Sequence, residues 1–115
     1  MNDGKKRRLS LGYSPCPNDT FIFYALVHGR LPQAPPFEEV LEDIESLNSM
    51  AAREELDVVK GSFHALGHFL DRYCLLRSGG ALGRGCGPLV VAAKEMDPGE
   101  LASATIAIPG RLTTA

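Results

Sequence analysis

The sequence predicts an α/β fold in which helices cover both faces of a mostly parallel sheet, a three-layer arrangement. Apolar stretches that alternate like strands are followed by stretches with helical spacing, and this order recurs along the chain. Proline and glycine residues separate the stretches. With 115 residues, 44% of them apolar and 23% charged, the chain is long enough for one globular core and too short for two full domains.

The first strand and the first helix are joined by a turn that contains two prolines. Residues 9–13 alternate between apolar and small or polar side chains, which predicts a half-buried strand. Asn18 or Asp19 can cap the helix that follows, and Gly29 ends it. A capped helix N-terminus at the carboxyl end of a strand is a ligand-binding position in open α/β sheets.

The segment 37–56 allows two interpretations, because its apolar residues also fit one long helix. We prefer a strand over about 39–44 and a helix capped at Asn48, since this continues the alternation of strands and helices. Elsewhere we predict a helix over 63–73 with Leu66, Phe69 and Leu70 inward, strands at 57–60, 74–76, 89–93 and 105–108, and a turn at 97–99.

Composition and charge favour a soluble protein whose partner is a small molecule, with no nucleic acid and no membrane. A net charge of -2 and a pI near 5.9 do not suit nucleic acid, and no apolar run reaches membrane-spanning length. We interpret residues 1–8 as a solvated basic leader, because small and polar residues interrupt the apolar run that a signal peptide requires. Three cysteines without zinc-type spacing indicate a reducing environment and a cytoplasmic location.

Three features suggest chemistry that we do not favour. His64 and His68 stand four residues apart, as in a two-histidine metal site, but no third ligand lies nearby in sequence, so we predict no metal. Cys16 lacks an adjacent histidine or lysine to activate it, and we expect a packed thiol. The glycine-rich segment 79–88 does not complete a dinucleotide fingerprint, and we favour close packing or a hinge there.

Three polar turns that follow predicted strands form the candidate binding site. They are residues 14–20, the Lys60-Gly61-Ser62 turn and residues 111–115. The carboxyl ends of parallel strands meet at one edge of a sheet, so we expect these turns to lie together. Their hydroxyls, the helix N–H groups and the charge of Lys60 suit an anionic or hydroxyl-rich small molecule. The alternative is that each turn merely caps a helix.

Four stretches of the chain carry a resemblance to a known family. Residues 14–23, 41–48, 79–91 and 109–115 resemble the 1,4-dihydroxy-6-naphthoate synthases of the futalosine route to menaquinone. The resemblance implies a two-lobed fold similar to type II periplasmic solute-binding proteins. We expect residues 9–108 to form the first lobe and residues 109–115 to begin a crossover into a second lobe that is missing, so that the chain looks like an N-terminal fragment.

The resemblance also implies an activity. Enzymes of this family are lyases that split cyclic dehypoxanthine futalosine into the dihydroxynaphthoate and a dihydroxyacetone fragment, in the cleft between the lobes, with no metal or organic cofactor. The family's histidine base would lie beyond Ala115 and is none of His28, His64 and His68. We therefore expect no catalytic residue in this chain and little activity from it alone.

The resemblance assigns substrate contacts to two of the three turns. Gly61 stands where the family leads us to expect a larger residue. The implied substrate-binding residues are Lys60, Gly61, Ser62, Thr114 and Ala115, and the polar turns add Ser14, Asn18, Asp19 and Thr113 as further candidates.

Two alternative functions stay open. The pathway's chorismate dehydratase shares the fold, although the Cys-Pro-Asn-Asp and Gly-Cys-Gly-Pro runs of this chain speak against it. A non-catalytic solute-binding lobe is the other, which the lack of a recognisable signal peptide disfavours. A homodimer is a further expectation that the sequence leaves open.

Overall fold

Three parallel strands in the order β2-β1-β3 form the sheet of the computed structural model, which describes residues 7–113. β1 (Leu9–Tyr13) is the central strand, and β2 (Phe37–Leu41) and β3 (Val58–Val59) flank it. Both strand pairs are parallel. The parallel sheet and the helices between its strands confirm the predicted α/β class.

The register brings the ends of the three strands to one edge of the sheet. Tyr13 at the end of β1 lies opposite Leu41 of β2, and Gly12 lies opposite Val59 of β3. The N–H of Lys60 then donates to the carbonyl of Gly12 at 2.8 Å, which extends the pairing by one residue beyond β3. The turns that follow β1 and β3 therefore begin side by side.

α1 (Pro17–Val27) covers one face of the sheet. Its Phe23 forms a buried cluster with Leu11 and Tyr13, and the Tyr13 and Phe23 ring centroids lie 4.8 Å apart. The helix stops where the sequence predicts, because Gly29 adopts a φ of 61°, a conformation that glycine reaches without steric cost.

The start of α1 differs from the prediction. Cys16 is the N-cap residue and makes no side-chain cap bond, while Pro17 occupies the first helical position. Proline suits this position because its fixed φ is already helical and its missing N–H would have had no partner inside the helix. Asn18 and Asp19 therefore lie within the first turn, and the prediction that either one caps the helix is wrong.

α2 (Ile44–Ala52) lies on the opposite face of the sheet, which gives the three predicted layers. A Cβ atom at Gly12 in β1 would lie 2.5 Å from Leu56 Cδ1 and 2.9 Å from Leu47 Cδ2. Leu47 is fully buried and Leu56 is 5% exposed. Glycine at this position thus allows both leucines to pack directly on the central strand.

The segment 37–56 forms a strand and then a helix, as we preferred, but both elements begin earlier than predicted. Asp43 is the N-cap of α2, and its Oδ1 accepts from the N–H groups of Glu45 and Ser46 at 3.0 Å each. Asn48 lies in the middle of the helix and is fully buried, so the prediction that it caps the helix is wrong.

α3 (Phe63–Leu66) is shorter than the helix predicted to reach Tyr73. The next three N–H groups bond to carbonyls three residues back, so the chain continues as tight turns. Side chains three residues apart align in such turns, which places Leu66 and the buried Phe69 inward. Leu70 is 59% exposed, and its predicted inward position is wrong.

No strand is described in residues 74–113, so the strands predicted at 74–76, 89–93 and 105–108 are wrong. These stretches have the composition of strands, but a strand needs a neighbour that bonds to its N–H and C=O groups. The described part of the chain supplies none. Their apolar side chains are consequently exposed, Leu89 by 86%.

α4 (Pro98–Ser103) is the one helix described beyond Tyr73. Asp97 and Glu100 form a capping box, in which each side chain accepts from the other residue's N–H. The predicted turn at 97–99 is therefore the start of this helix. Residues 109–113, which we expect to begin a crossover, are not helical.

The chain as a whole is extended. Its radius of gyration is 18.1 Å and its principal extents are 72 × 28 × 22 Å. A compact domain of this length would have a radius of gyration of about 13 Å. The chain is therefore more extended than a compact domain of its length.

The basic leader is described only from Arg7 onward. The Arg7 guanidinium is 78% exposed and contacts Asp57 at 2.7 Å. Asp57 also accepts from the N–H and the hydroxyl of Ser10, at 2.9 and 3.0 Å. These contacts tie the start of β1 to the residues before β3, and the rest of the predicted leader lies outside the described residues.

Candidate functional site

An ion pair between Asp19 and Lys60 joins the turns that follow β1 and β3. Asp19 lies in the first turn of α1 and is 1% exposed, and Lys60 directly follows β3. The Lys60 ammonium lies 2.7 Å from Asp19 Oδ1. The parallel pairing places the lysine beside the start of α1, which is the geometry expected of the carboxyl edge of a sheet.

Ser14 completes this network from the end of β1. Its hydroxyl donates to Asp19 Oδ2 at 2.8 Å, and its N–H donates to the same oxygen at 3.3 Å. Burial raises the pKa of Asp19, but the hydrogen bonds from Lys60 and Ser14 and the charge of Lys60 outweigh it and leave the pKa below its ordinary value. Asp19 is therefore ionised at neutral pH and balances the charge of Lys60.

Asn48 and Ser62 form a second, fully internal contact at this edge. The Asn48 amide nitrogen donates to the Ser62 hydroxyl at 3.1 Å, and the Ser62 N–H donates to the Asn48 amide oxygen at 3.0 Å. A Cβ at Gly61 would lie 3.1 Å from that oxygen, closer than ordinary packing allows. Glycine at residue 61 thus leaves room for the Asn48 side chain.

The third predicted turn reaches the site through Glu45. The Arg111 N–H donates to Glu45 Oε1 and the Thr113 hydroxyl donates to Glu45 Oε2, both at 3.2 Å. Glu45 and Asn48 are three residues apart on α2 and so share a face, with about 4.5 Å between them along the helix axis. Thr113 and Ser62 are therefore held by neighbouring positions of one helix.

The structure thus connects five residues of the predicted turns, directly or through Asn48 and Glu45, and we call these five the polar edge. Asn18 is exposed in the first turn of α1 and is not part of this group. Thr114 and Ala115 lie outside the described residues. The polar edge consists of Ser14, Asp19, Lys60, Ser62 and Thr113.

Sequence analysis missed two residues that hold the polar edge together. Asn48 was assigned to a helix cap, although a polar amide beside Leu47 and Ala51 on the buried face of a helix is a signal of an internal partner. Glu45 received no role, because its contacts are with residues more than sixty positions away and leave no local pattern.

Other histidine, cysteine and acidic side chains lie outside the polar edge. Among the described residues, no group of three histidine, cysteine or acidic side chains is placed to hold a metal. The His64 and His68 rings contact each other edge to face, with centroids 5.3 Å apart. Cys16 is exposed, so the expectation of a packed thiol is wrong.

No helix in residues 7–113 is long and apolar enough to cross a membrane. Two depressions are found on the described part of the chain. One of about 520 Å³ lies beside α2, with Asp43, Glu45 and Ser46 among its lining residues. The other, of about 540 Å³, is lined by largely apolar side chains of residues 88–92 and 104–110. Neither depression is lined by Lys60 or Ser62.

Comparison with known proteins places the chain in a family. A family model described as menaquinone biosynthesis matches residues 9–115. A 1,4-dihydroxy-6-naphtoate synthase of Thermus thermophilus is 57% identical over 107 residues, which are 93% of this chain and 39% of the relative. A protein of the same name from Streptomyces coelicolor is 52% identical over 107 residues, 93% of this chain and 37% of the relative.

One solved structure is also similar to this chain. The crystal structure of a protein from Archaeoglobus fulgidus superposes with a TM-score of 0.69 at 38% identity, over 77% of this chain and 34% of that one. The chain spans less than half the length of each of these relatives. Since the family model matches the chain from β1 to its last residue, the chain belongs to the menaquinone biosynthesis family.

Proposed function

We propose that this chain is the first lobe of a 1,4-dihydroxy-6-naphthoate synthase, a lyase that acts on cyclic dehypoxanthine futalosine. Besides family membership, one observation carries the proposal: the Asp19–Lys60 ion pair joins the turns after β1 and β3 into a single polar edge. Both relatives named above are called synthases of this kind, which favours that activity over chorismate dehydration. The lobe would be of the type II periplasmic-binding-protein kind, with a second lobe that closes the cleft.

In this proposal the polar edge binds the sugar-derived part of the substrate. An ammonium group has three donors, and Asp19 occupies one of those of Lys60, so the others can donate to a substrate oxygen. Because Asp19 already balances its charge, Lys60 suits a hydroxyl or carbonyl oxygen better than a free anion. Ser14, Ser62 and Thr113 add hydroxyls beside it.

The reaction requires a base that takes a proton and fixed donors that stabilise the resulting oxyanion. We assign the donors to the polar edge and the base to a histidine of the second lobe. A general base contributes typically about 10²–10⁴-fold to the rate. The chain alone is therefore expected to be nearly inactive, and the proposed reaction uses no metal or organic cofactor.

A chimera tests the proposed activity. Residues 9–115 of this chain replace the matching segment of the Thermus thermophilus relative, and formation of 1,4-dihydroxy-6-naphthoate from cyclic dehypoxanthine futalosine is assayed. We expect turnover by the chimera. Lys60→Ala should lower kcat/KM at least about tenfold, because a hydrogen bond from a charged donor contributes about 1.5–3 kcal/mol.

Lys94→Ala is the matched control, since Lys94 is exposed and pairs with Glu100 away from the polar edge. Its kinetics should equal those of the unmodified chimera. Equal losses in the Lys60 and Lys94 variants would contradict a substrate role for Lys60. A chimera that folds, as judged by circular dichroism, but forms no product would contradict the proposed activity itself.

The chain alone offers one wall of the proposed cleft, so it should bind the naphthoate product weakly. One wall should leave a dissociation constant of millimolar or weaker, about −4 kcal/mol, whereas a two-walled cleft reaches micromolar binding, about −8 kcal/mol. Titration followed by NMR covers this range. Micromolar binding by the chain alone would indicate a complete binding protein and contradict the one-wall proposal.

A further inference from the structure

The Glu45 carboxylate holds a segment of the chain that has no regular structure. Residues 110–113 lie outside every helix and strand described. Two of their groups nevertheless bond to Glu45: the Arg111 N–H and the Thr113 hydroxyl, each at 3.2 Å. Gly110 approaches so closely that a Cβ atom there would overlap the Glu45 carboxylate. One side chain of α2 thus contacts three of these four residues.

Glu45 is available for this contact because another residue caps its helix. Asp43 accepts from the first N–H groups of α2, including that of Glu45 itself, and its second oxygen accepts from the Ser46 hydroxyl at 2.6 Å. The Glu45 carboxylate is therefore not needed to complete the helix end. It lies in the first turn, where the helix dipole favours a negative charge.

The remaining residue of the segment is held from another direction. Leu112 packs against the buried cluster of Ala51, Ala65 and Phe69, between α2 and the turns after α3. Its neighbours on either side bond to Glu45. The segment therefore has one apolar and one polar attachment, and only the polar one fixes the direction of the Thr113 hydroxyl.

We propose that Glu45 is a positioning residue, which fixes Thr113 at the polar edge beside the Asn48–Ser62 contact. This inference rests on the proposed function, since it assigns the Glu45 contact a role in ligand binding. Asn48 sets the position of Ser62, and Glu45, one turn earlier on the same face of α2, sets the position of Thr113. The helix thereby spaces two hydroxyls of the site that are far apart in sequence.

The test uses the chain itself and two independent readouts. Glu45→Ala should raise the exchange rate of the Arg111 amide hydrogen at least about tenfold, because its acceptor is lost. The same variant should weaken the binding of cyclic dehypoxanthine futalosine, whose sugar-derived part the polar edge is proposed to bind, about three- to tenfold in an NMR titration. Glu42→Ala is the matched control, since Glu42 is exposed and its described contact is made by its backbone N–H.

A second variant disturbs the contact without removing the carboxylate. The methyl group of Gly110→Ala would push the Glu45 side chain away, so exchange at Arg111 and ligand affinity should change as in Glu45→Ala. In a Thr113→Val background, Glu45→Ala should have a smaller effect on affinity, because the hydroxyl that it positions is already gone. The midpoint of unfolding by urea confirms that each variant remains folded.

The outcomes separate this inference from the proposed function. Unchanged exchange at Arg111 in Glu45→Ala would show that Glu45 does not hold the segment. Faster exchange with unchanged ligand affinity would overturn the positioning role while leaving the proposed site intact. Failure of the unmodified chain to respond to the ligand at any concentration would contradict the site itself, and the positioning role would fall with it.

Discussion

The first and second halves of the chain use similar apolar residues in different ways. Between Leu9 and Tyr73, a core of apolar side chains packs between the sheet and the helices and Leu47 is fully buried, although others such as Phe21 and Phe63 are exposed. From residue 74 to residue 108, no apolar side chain is buried, and Leu89 is 86% exposed. The difference arises because the first half contains its own neighbours: three strands that pair, and helices on both of their faces.

This contrast shows that burial depends on partners more than on composition. Residues 89–93 and 105–108 are as apolar as β1, but no strand or helix of the described chain covers them. The polar edge belongs almost entirely to the first half. Residues 110–113 are the exception, since Leu112 and Glu45 attach them to α2.

The largest effect expected from this contrast is a difference between two leucines. Leu47→Ala removes a fully buried side chain and should lower the free energy of unfolding by about 2–5 kcal/mol. Leu89→Ala removes an exposed one and should change it by less than about 0.5 kcal/mol. Urea unfolding followed by circular dichroism measures both. Similar losses would mean that the second half packs in solution.

Local rules predicted the first half of the chain better than the second. The strand β1 and the glycine at the end of α1 depend on adjacent residues, and both are confirmed, although β1 is covered on both faces and not half-buried as predicted. The strands at 89–93 and 105–108 failed because pairing is decided by distant residues that the local pattern does not reveal.

The candidate site shows the same division between local and distant information. The turns that carry Asp19 and Lys60 were predicted from strand ends and small polar residues, and the structure describes both at one edge. The partners of these residues were not predicted. Asn48 was interpreted as a helix cap because its partner, Ser62, lies fourteen residues away and leaves no local pattern. Asp19 and Lys60 are separated by even more of the sequence.

The next largest effect concerns the ion pair at the polar edge. Asp19→Asn should lower the free energy of unfolding by about 3 kcal/mol, the lower end of the range for breaking a buried pair. The lower end applies because the Lys60 side chain is 22% exposed and can reach water once its partner is gone. Asp71→Asn, in an exposed pair with Arg72, is the control and should have little effect.

The same variant should change the pH dependence of stability. The pKa of Asp19 is lower in the folded chain than in the unfolded one, where it is about 3.9. Its carboxylate therefore contributes stability above that value, and the contribution is lost as the pH falls through the lower folded pKa. Stability measured from pH 6 down to pH 2.5 should fall more steeply for the unmodified chain than for Asp19→Asn. Parallel curves would contradict the pairing.

Adding a methyl group at a glycine should also affect the two halves of the chain differently. Gly12→Ala should lower the free energy of unfolding by about 1–3 kcal/mol, because the added Cβ would collide with Leu47 and Leu56. Gly80, in the second half, has no atom within 4 Å of its Cβ position, so Gly80→Ala should have no destabilising effect beyond about 0.5 kcal/mol. A tolerated alanine at residue 12 would mean that α2 packs less closely on β1.

The smallest effect compares two valines of strand-like stretches. Val58 in β3 is half-buried against the Leu11 cluster, and Val58→Ala should lower the free energy of unfolding by about 1 kcal/mol, since about 0.8 kcal/mol is lost for each fully buried methylene-sized group. Val91 is 87% exposed, so Val91→Ala should leave the free energy of unfolding unchanged within error.

Hydrogen exchange gives the matching test on the backbone. Amides of β1 that bond within the sheet should be protected, whereas those of residues 89–93 should exchange at nearly the rate of an unfolded peptide. Protection of residues 89–93 in the unmodified chain would show that they have a partner in solution, and the distinction between the two halves would then fail.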